Sequence, residues 1–71
     1  MSVHKHVISI VTPFFNEGDG VALFQHEICR IIEAHSDYRF EIVCVDDGSR
    51  DDTLVKLKEI SETDSRFQVI E

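Results

Sequence analysis

The side chains with the clearest chemical potential lie in the acidic segment Asp46-Asp47-Gly48-Ser49, directly after an apolar run. Two carboxylates, a glycine and a hydroxyl in this position are typical of a buried strand that ends in a turn and leads into a helix. In open α/β sheets, ligands bind outside the carboxyl ends of such strands. The segment therefore predicts a binding site at one edge of a sheet.

A second chemically rich segment, Pro13-Phe14-Phe15-Asn16-Glu17, follows the first apolar run. In a right-handed β-α-β unit the two segments lie at the same edge of the sheet and face one another across a crevice. An aromatic ring beside carboxylates suits a nucleobase and its ribose. The base stacks on the ring, and a carboxylate, which only accepts hydrogen bonds, takes the ring N–H of uracil or guanine. The phosphate-binding patterns GxGxxG and GxxxxGK[ST] are missing from the sequence, which disfavours a dinucleotide fold or a P-loop enzyme.

The elements that position these segments follow the order β-α-β-α-β. Apolar runs within residues 7–11, 39–45 and 66–71 predict strands, and the near-continuous apolar character of the first two predicts burial on both faces. Two stripes at helical spacing separate them; their members are Val21, Phe24, Ile28, Ile31, Ile32 and His35, and then Leu54, Leu57 and Ile60. Strands that alternate with helices imply a parallel sheet with right-handed crossovers.

Local signals suggest where the elements begin and end. Proline has no N–H for a central ladder, so Thr12-Pro13 is predicted to end the first strand. Asp19 is predicted to cap the first helix, and Ser49 or Asp51 the second. Lys56 is expected to face water.

Composition limits the class of protein. The 71 residues are 42% hydrophobic and 30% charged, with a net charge of −7, which fits one globular unit and argues against nucleic acid as a partner. Cys29 and Cys44 lack a metal or disulfide pattern, so free thiols in a reducing, cytoplasmic compartment are expected. A three-stranded parallel sheet leaves open edges. We therefore expect residues 1–71 to be a single partial domain that self-associates through its third strand, at Phe67, Val69 and Ile70.

The two loop segments resemble the motifs of family-2 glycosyltransferases. Residues 13–17 resemble the family pattern P-x-aromatic-N-E, and residues 45–53 resemble V-D-D-G-S-x-D-x-T. The likeness extends from Val7 onward and includes the order and spacing of the elements. It is greatest for enzymes that move a sugar from a nucleotide to a polyprenyl phosphate, such as bactoprenol glucosyltransferases and dolichyl-phosphate mannose synthases.

The resemblance implies a three-layer α/β architecture. Residues 1–71 would form the N-terminal nucleotide-binding half of a GT-A (Rossmann-like) fold. It also implies a UDP- or GDP-sugar donor, a lipid-phosphate acceptor, and Mg²⁺ or Mn²⁺ in the full-length protein. The longer protein would be anchored at the cytoplasmic face of a membrane by segments outside these residues.

The family pattern also implies roles for individual residues. Pro13 would line the base pocket through its backbone, Phe15 would lie near the base, and Glu17 near the base or ribose. Asp47 would accept a hydrogen bond from the base, with Asp46 beside it. Phe15 stands where the family often has tyrosine, so a contact made by the tyrosine hydroxyl is lost while stacking is kept.

The resemblance assigns no catalytic residue and no metal ligand to this segment. The metal-binding DxD motif and the catalytic base are expected beyond residue 71, because Asp51-Asp52 match a different family position. By itself the segment would therefore bind a donor without transferring it. Two alternatives stay open: a Mg²⁺-dependent phosphoacceptor signalling domain of the flavodoxin-like type, and a non-catalytic nucleotide-binding module.

Overall fold

The computed structural model describes residues 6–71 as a three-stranded sheet with two helices. The elements in chain order are β1 (Val7–Phe14), α1 (Gly18–Ala34), β2 (Arg39–Asp46), α2 (Thr53–Thr63) and β3 (Phe67–Ile70). The strands lie in the order β1-β2-β3, and both pairings are parallel. The predicted α/β class, the β-α-β-α-β order and the Rossmann-like half of a GT-A fold are confirmed.

Both helices pack on the same face of the sheet. Alternate residues of β2 point to that face, so Phe40, Ile42 and Cys44 are buried against the helices. The core also takes in the following buried side chains: Phe14, Val21, Ile28, Ile32, Leu57, Ile60 and Phe67. The sheet and this helical layer are two of the three layers of the predicted architecture.

The opposite face of the sheet carries apolar side chains that no described residue covers. Val11 is 64% exposed and Ile70 is 51% exposed. The prediction of strands buried on both faces is therefore wrong within the described residues. The apolar runs do supply side chains to both faces, but successive right-handed crossovers in one direction place both helices on one side.

β1 continues through Pro13 to Phe14, whereas the proline was predicted to end it. The C=O of Phe14 accepts a hydrogen bond from the N–H of Asp47 at 2.8 Å, so the polar backbone groups of Phe14 face β2. Backbone groups of successive strand residues point to opposite sides, and those of Pro13 therefore face the outer edge of β1. An outer edge needs no N–H from this residue, which is why proline is tolerated there.

Several local predictions also change. α1 begins at Gly18, so Asp19 lies in its first turn and does not cap it. Lys56 is half-buried, with its Nζ donating to the C=O of Gly18 at 3.0 Å. Ile31 and His35, predicted on the buried stripe of α1, are exposed.

β3 differs in part from the exposed strand that the sequence suggested. Phe67 is buried in the core and Val69 is half-buried, which leaves Ile70 as the exposed apolar side chain of the strand. Among the described residues β3 pairs with β2 alone. Self-association through this strand stays a prediction.

Candidate functional site

The carboxyl ends of β1 and β2 lie level with each other and bring the two chemically rich segments together. Phe14 is the register partner of Asp46, and the next residue, Asp47, donates its N–H to Phe14. Residues 15–17, here the first loop, and residues 47–52, here the second loop, therefore leave the sheet side by side. This is the juxtaposition that the sequence predicted.

The two adjacent phenylalanines have different environments. Phe14 is 3% exposed and packs edge-to-face on Phe24 of α1, with ring centroids 5.1 Å apart and planes at 84°. Phe15 is 54% exposed at the start of the first loop. The ring that is available to a ligand is therefore that of Phe15.

The carboxylates of the site fall into two classes. Glu17 and Asp47 are exposed; one oxygen of Glu17 accepts the N–H of Phe15 at 3.3 Å, and Asp47 forms no side-chain hydrogen bond with any described residue. Asp46 is only 6% exposed, on the helix-covered side of the sheet. Its Oδ2 accepts the N–H of Ser49 at 3.1 Å, while its buried Oδ1 has no partner among residues 6–71.

Both loops contain a residue with positive φ. Gly48 has φ = +80° and Asn16 has φ = +49°. Glycine and asparagine are the residues that adopt this conformation at least cost. Asn16 also joins the loops, because its N–H donates to Ser49 Oγ at 2.9 Å and its Oδ1 accepts the N–H of Arg50 at 2.7 Å.

Thr53 and Asp51 form a second connection between the loops. The hydroxyl of Thr53 accepts the N–H of Glu17 at 2.9 Å and donates to Asp51 Oδ1. The same Oδ1 accepts the N–H of Thr53 at 3.0 Å, and Oδ2 accepts the N–H of Gly18 at 3.1 Å. These bonds, chiefly the one from the Thr53 hydroxyl, lower the pKa of Asp51.

The sequence predicted the local hydrogen bond at the start of α2 but not the hydrogen bonds that connect the two loops. Ser49 or Asp51 was predicted to cap α2, and Asp51 does accept the N–H of the first residue of that helix. Their bonds to the first loop were missed, as was the role of Thr53. The available signal was the density of hydroxyl and carboxylate side chains in residues 46–53.

The described residues do not fit a metal centre. No group of three or more His, Cys, Asp or Glu side chains in residues 6–71 is placed to hold a metal ion. Both carboxylate oxygens of Asp51 accept hydrogen bonds from the protein, and Asp52 forms an ion pair with Lys56 at 3.2 Å. Burial raises the pKa of the Cys44 thiol to about 11, so this cysteine is protonated at neutral pH and is a poor metal ligand.

A cavity of about 380 Å³ lies at the other end of the sheet, lined in part by Tyr38, Arg39 and Arg66. Arg66 is held there by Asp64, through bonds of 2.9 and 2.5 Å. None of the five predicted site residues lines this cavity. We place the candidate site at the carboxyl ends of β1 and β2, because the exposed ring and the available carboxylates lie there.

Comparison with known proteins identifies the family of the chain. The family model described as "Glycosyl transferase family 2" matches residues 9–71, which is most of the chain. The chain belongs to glycosyltransferase family 2. Both loops of this family-2 chain lie inside the matched region, together with all the residues that connect them.

Individual relatives of the family-2 chain come from several bacteria. It is 45% identical over 58 residues to the undecaprenyl-phosphate 4-deoxy-4-formamido-L-arabinose transferase of Pseudomonas savastanoi pv. phaseolicola (strain 1448A / Race 6), a match of 78% of this chain and 16% of that protein. It is 43% identical over 67 residues to the protein of the same name in Pseudomonas syringae pv. syringae (strain B728a), covering 89% and 19%. A Bacillus subtilis (strain 168) protein, CsbB, whose name refers to a glycosyltransferase, is 41% identical over 64 residues, covering 90% and 19%.

The family-2 chain therefore spans less than a fifth of the length of these relatives. No helix within residues 6–71 is long and apolar enough to cross a membrane.

Proposed function

We propose that this segment binds the nucleotide of a UDP- or GDP-sugar, and that the protein at its natural length transfers the sugar to a polyprenyl phosphate. One observation carries the proposal. The exposed ring of Phe15 and the available carboxylate of Asp47 follow neighbouring strand ends that are joined by the Asp47–Phe14 hydrogen bond. A flat apolar surface and an acceptor side by side suit a base with an N–H on its pairing edge.

In this proposal the base stacks on Phe15 and donates its ring N–H to Asp47. Stacking of a base on an aromatic side chain is worth about 1–3 kcal/mol. A carboxylate accepts hydrogen bonds and donates none, so it favours uracil and guanine over cytosine and adenine, whose corresponding ring nitrogens are acceptors. The choice between UDP and GDP needs further contacts and stays open.

The other three predicted residues complete the site in different ways. Glu17 keeps one oxygen for a ribose hydroxyl while the other holds the Phe15 amide. Pro13 is exposed at the end of β1 and offers backbone to the edge of the base. Asp46, which is buried, supports the turn through Ser49; its Oδ1, which has no partner among residues 6–71, is buried as well.

Acceptor, metal and location rest on the relatives and on the family resemblance. Two relatives are named as undecaprenyl-phosphate transferases, which supports a lipid-phosphate acceptor. A lipid acceptor in turn supports a place at a membrane, and the cytoplasmic face rests on the family resemblance and on the free thiols of Cys29 and Cys44. Mg²⁺ or Mn²⁺ would neutralise the diphosphate leaving group, with ligands from outside the described residues.

A titration of four nucleotides tests the donor proposal. UDP, GDP, CDP and ADP would be added to the purified protein at its natural length, with and without Mg²⁺, and binding measured by calorimetry. We expect UDP or GDP to bind at least about tenfold more tightly than CDP and ADP, because the mismatched bases leave Asp47 facing an acceptor. Equal affinity for all four, or binding of none, would contradict the proposal.

The same preparation addresses the flavodoxin-like alternative. A phosphoacceptor domain would become phosphorylated on an aspartate when incubated with a small phosphodonor and Mg²⁺. Membership of glycosyltransferase family 2 favours the transferase, so we expect no phosphoaspartate and a bound nucleotide. A non-catalytic module would bind the nucleotide but leave a labelled donor sugar untransferred.

A further inference from the structure

Two side chains of the second loop and α2 hold the backbone of the first loop from behind. Thr53 is completely buried. Its hydroxyl accepts the N–H of Glu17, and Asp51, to which it donates, accepts the N–H of Gly18. Thus two successive backbone amides are fixed by one hydroxyl and one carboxylate. We call these two side chains, Thr53 and Asp51, the loop clamp.

We propose that the loop clamp is a positioning device for donor binding. It sets the first loop, with Phe15 and Glu17, at a fixed distance from Asp47 on the second loop. Thr53 and Asp51 are positioning residues, since they act through the backbone of Glu17 and Gly18. This inference rests on the proposed function, because it assigns a role to residues that support the same site.

The connectivity of the clamp goes beyond helix capping. The local contact at the start of α2 is the bond from the N–H of Thr53, the first residue of the helix, to Asp51. The bonds to Glu17 and Gly18 instead cross 36 and 33 residues of chain. They are therefore tertiary contacts that join Glu17 to the start of α2 and Gly18 to the second loop. Their loss would loosen the backbone at these two residues, while the bonds of Asn16 to Ser49 and Arg50 remain.

The chemistry of the clamp also limits which side chains can form it. Both oxygens of Asp51 accept hydrogen bonds, one from Thr53 and one from Gly18. An asparagine has a single acceptor oxygen, so it cannot serve both partners. Valine has the shape of threonine but no hydroxyl, so at position 53 it would leave the N–H of Glu17 without its acceptor.

Ordering a loop on binding costs affinity, and a loop that is already ordered avoids this cost. With the clamp intact, Phe15 and Glu17 extend from a fixed backbone. Without it, the nucleotide has to restrict both side chains and the loop that carries them. In this proposal the clamp acts through the backbone of the first loop, so its loss is expected to weaken nucleotide binding.

Substitutions at Thr53 test the clamp directly. UDP and GDP would be titrated into the protein at its natural length as wild type, Thr53→Val, Thr53→Ser and Thr63→Val. Thr63 is a matched control, because its hydroxyl bonds within α2 to Ile60 and lies outside both loops. We expect about a five- to tenfold weaker Kd for Thr53→Val, the loss typical of one hydrogen bond. Thr53→Ser and Thr63→Val should stay within about twofold of wild type.

Amide hydrogen exchange separates positioning from a general loss of stability. In Thr53→Val we expect faster exchange at Glu17 and Gly18, with exchange at Ile42 in the core unchanged. If Thr53→Val does not fold, Asp51→Asn gives the same test, with faster exchange expected at Gly18. Faster exchange at Ile42 as well would overturn the positioning role, because the effect would then be global.

The binding data distinguish this inference from the proposed function. If wild type binds a nucleotide and Thr53→Val binds it equally well, the positioning role is wrong and the proposed function stands. If wild type binds neither UDP nor GDP, the proposed function is wrong, and the positioning role is overturned with it.

Discussion

The two ends of the sheet are built in different ways. At the carboxyl end, residues of the second loop and α2 hydrogen-bond to residues 16–18 across 33 to 38 residues of chain. At the other end, Asp64 and Arg66 bond to each other across a separation of two residues. Both ends have charged side chains, and at the carboxyl end of the described sheet they help to fix one loop against another.

This difference indicates which end of the sheet has its loops fixed relative to each other. A local pair such as Asp64 and Arg66 shapes its own turn, and a partly exposed ion pair contributes little to stability, about 0–1 kcal/mol. Bonds that cross between loops set a distance between groups that are far apart in sequence. At the carboxyl end these bonds hold the backbone of the first loop against the second, which is the arrangement that the proposed binding site requires.

The largest expected difference between the two ends concerns nucleotide affinity. Asp47→Asn replaces a charged acceptor at the site with a neutral amide that carries donors. Because hydrogen bonds to charged groups are worth about 1.5–3 kcal/mol, we expect binding of UDP or GDP to weaken about tenfold to hundredfold. Asp37→Asn makes the same chemical change at an exposed residue of the other end. Calorimetry should give wild-type affinity for Asp37→Asn, and equal losses in both variants would refute the role of Asp47.

A smaller effect is expected from the backbone of the turn. Gly48 has φ = +80°, and an alanine Cβ there would meet no atom within 4 Å. The cost of Gly48→Ala is therefore conformational, about 1–2 kcal/mol in the free energy of unfolding measured in urea. Gly20→Ala is a matched control within α1, also without a clash, and should stabilise by up to about 1 kcal/mol. Destabilisation by both, or by neither, would show that the turn conformation is not the cause.

The smallest expected effect is on the pH dependence of stability. The pKa of Asp51 is lowered mainly by the Thr53 hydroxyl, and that of Asp64 mainly by Arg66. A lowered folded-state pKa contributes stability above the unfolded pKa of about 3.9, which is lost as pH falls through the folded value. The free energy of unfolding, measured in urea between about pH 6 and pH 3, should therefore fall less steeply with decreasing pH in Asp51→Asn and in Asp64→Asn than in wild type.

The two variants should differ in one respect. Asp51→Asn should also weaken nucleotide binding at neutral pH, because it opens the loop clamp. Asp64→Asn should leave nucleotide binding unchanged, because its partner Arg66 lies at the other end of the sheet. Weaker nucleotide binding in Asp64→Asn but not in Asp51→Asn would contradict the placement of the binding site at the carboxyl end.

The sequence predicted the order of strands and helices well, because the spacing of apolar residues differs between the two kinds of element. The sequence also places Phe14 next to Phe15, and because successive strand side chains point to opposite faces, one ring is buried and the other exposed. It did not predict that Pro13 lies inside β1, since this depends on which edge of the strand is unpaired. Nor did it predict the bonds of Thr53 and Lys56 to the first loop, because hydrogen bonds between distant segments leave no local pattern.

Hydrogen–deuterium exchange with and without nucleotide tests the central claim most directly. The claim is that the carboxyl end of the sheet binds the donor nucleotide. The protein at its natural length would be labelled in the absence and presence of saturating UDP or GDP and analysed by mass spectrometry. The account predicts slower exchange in peptides that cover residues 13–17 and 45–50, and no change in residues 36–40 and 64–68. Protection confined to residues 36–40 and 64–68 would contradict it.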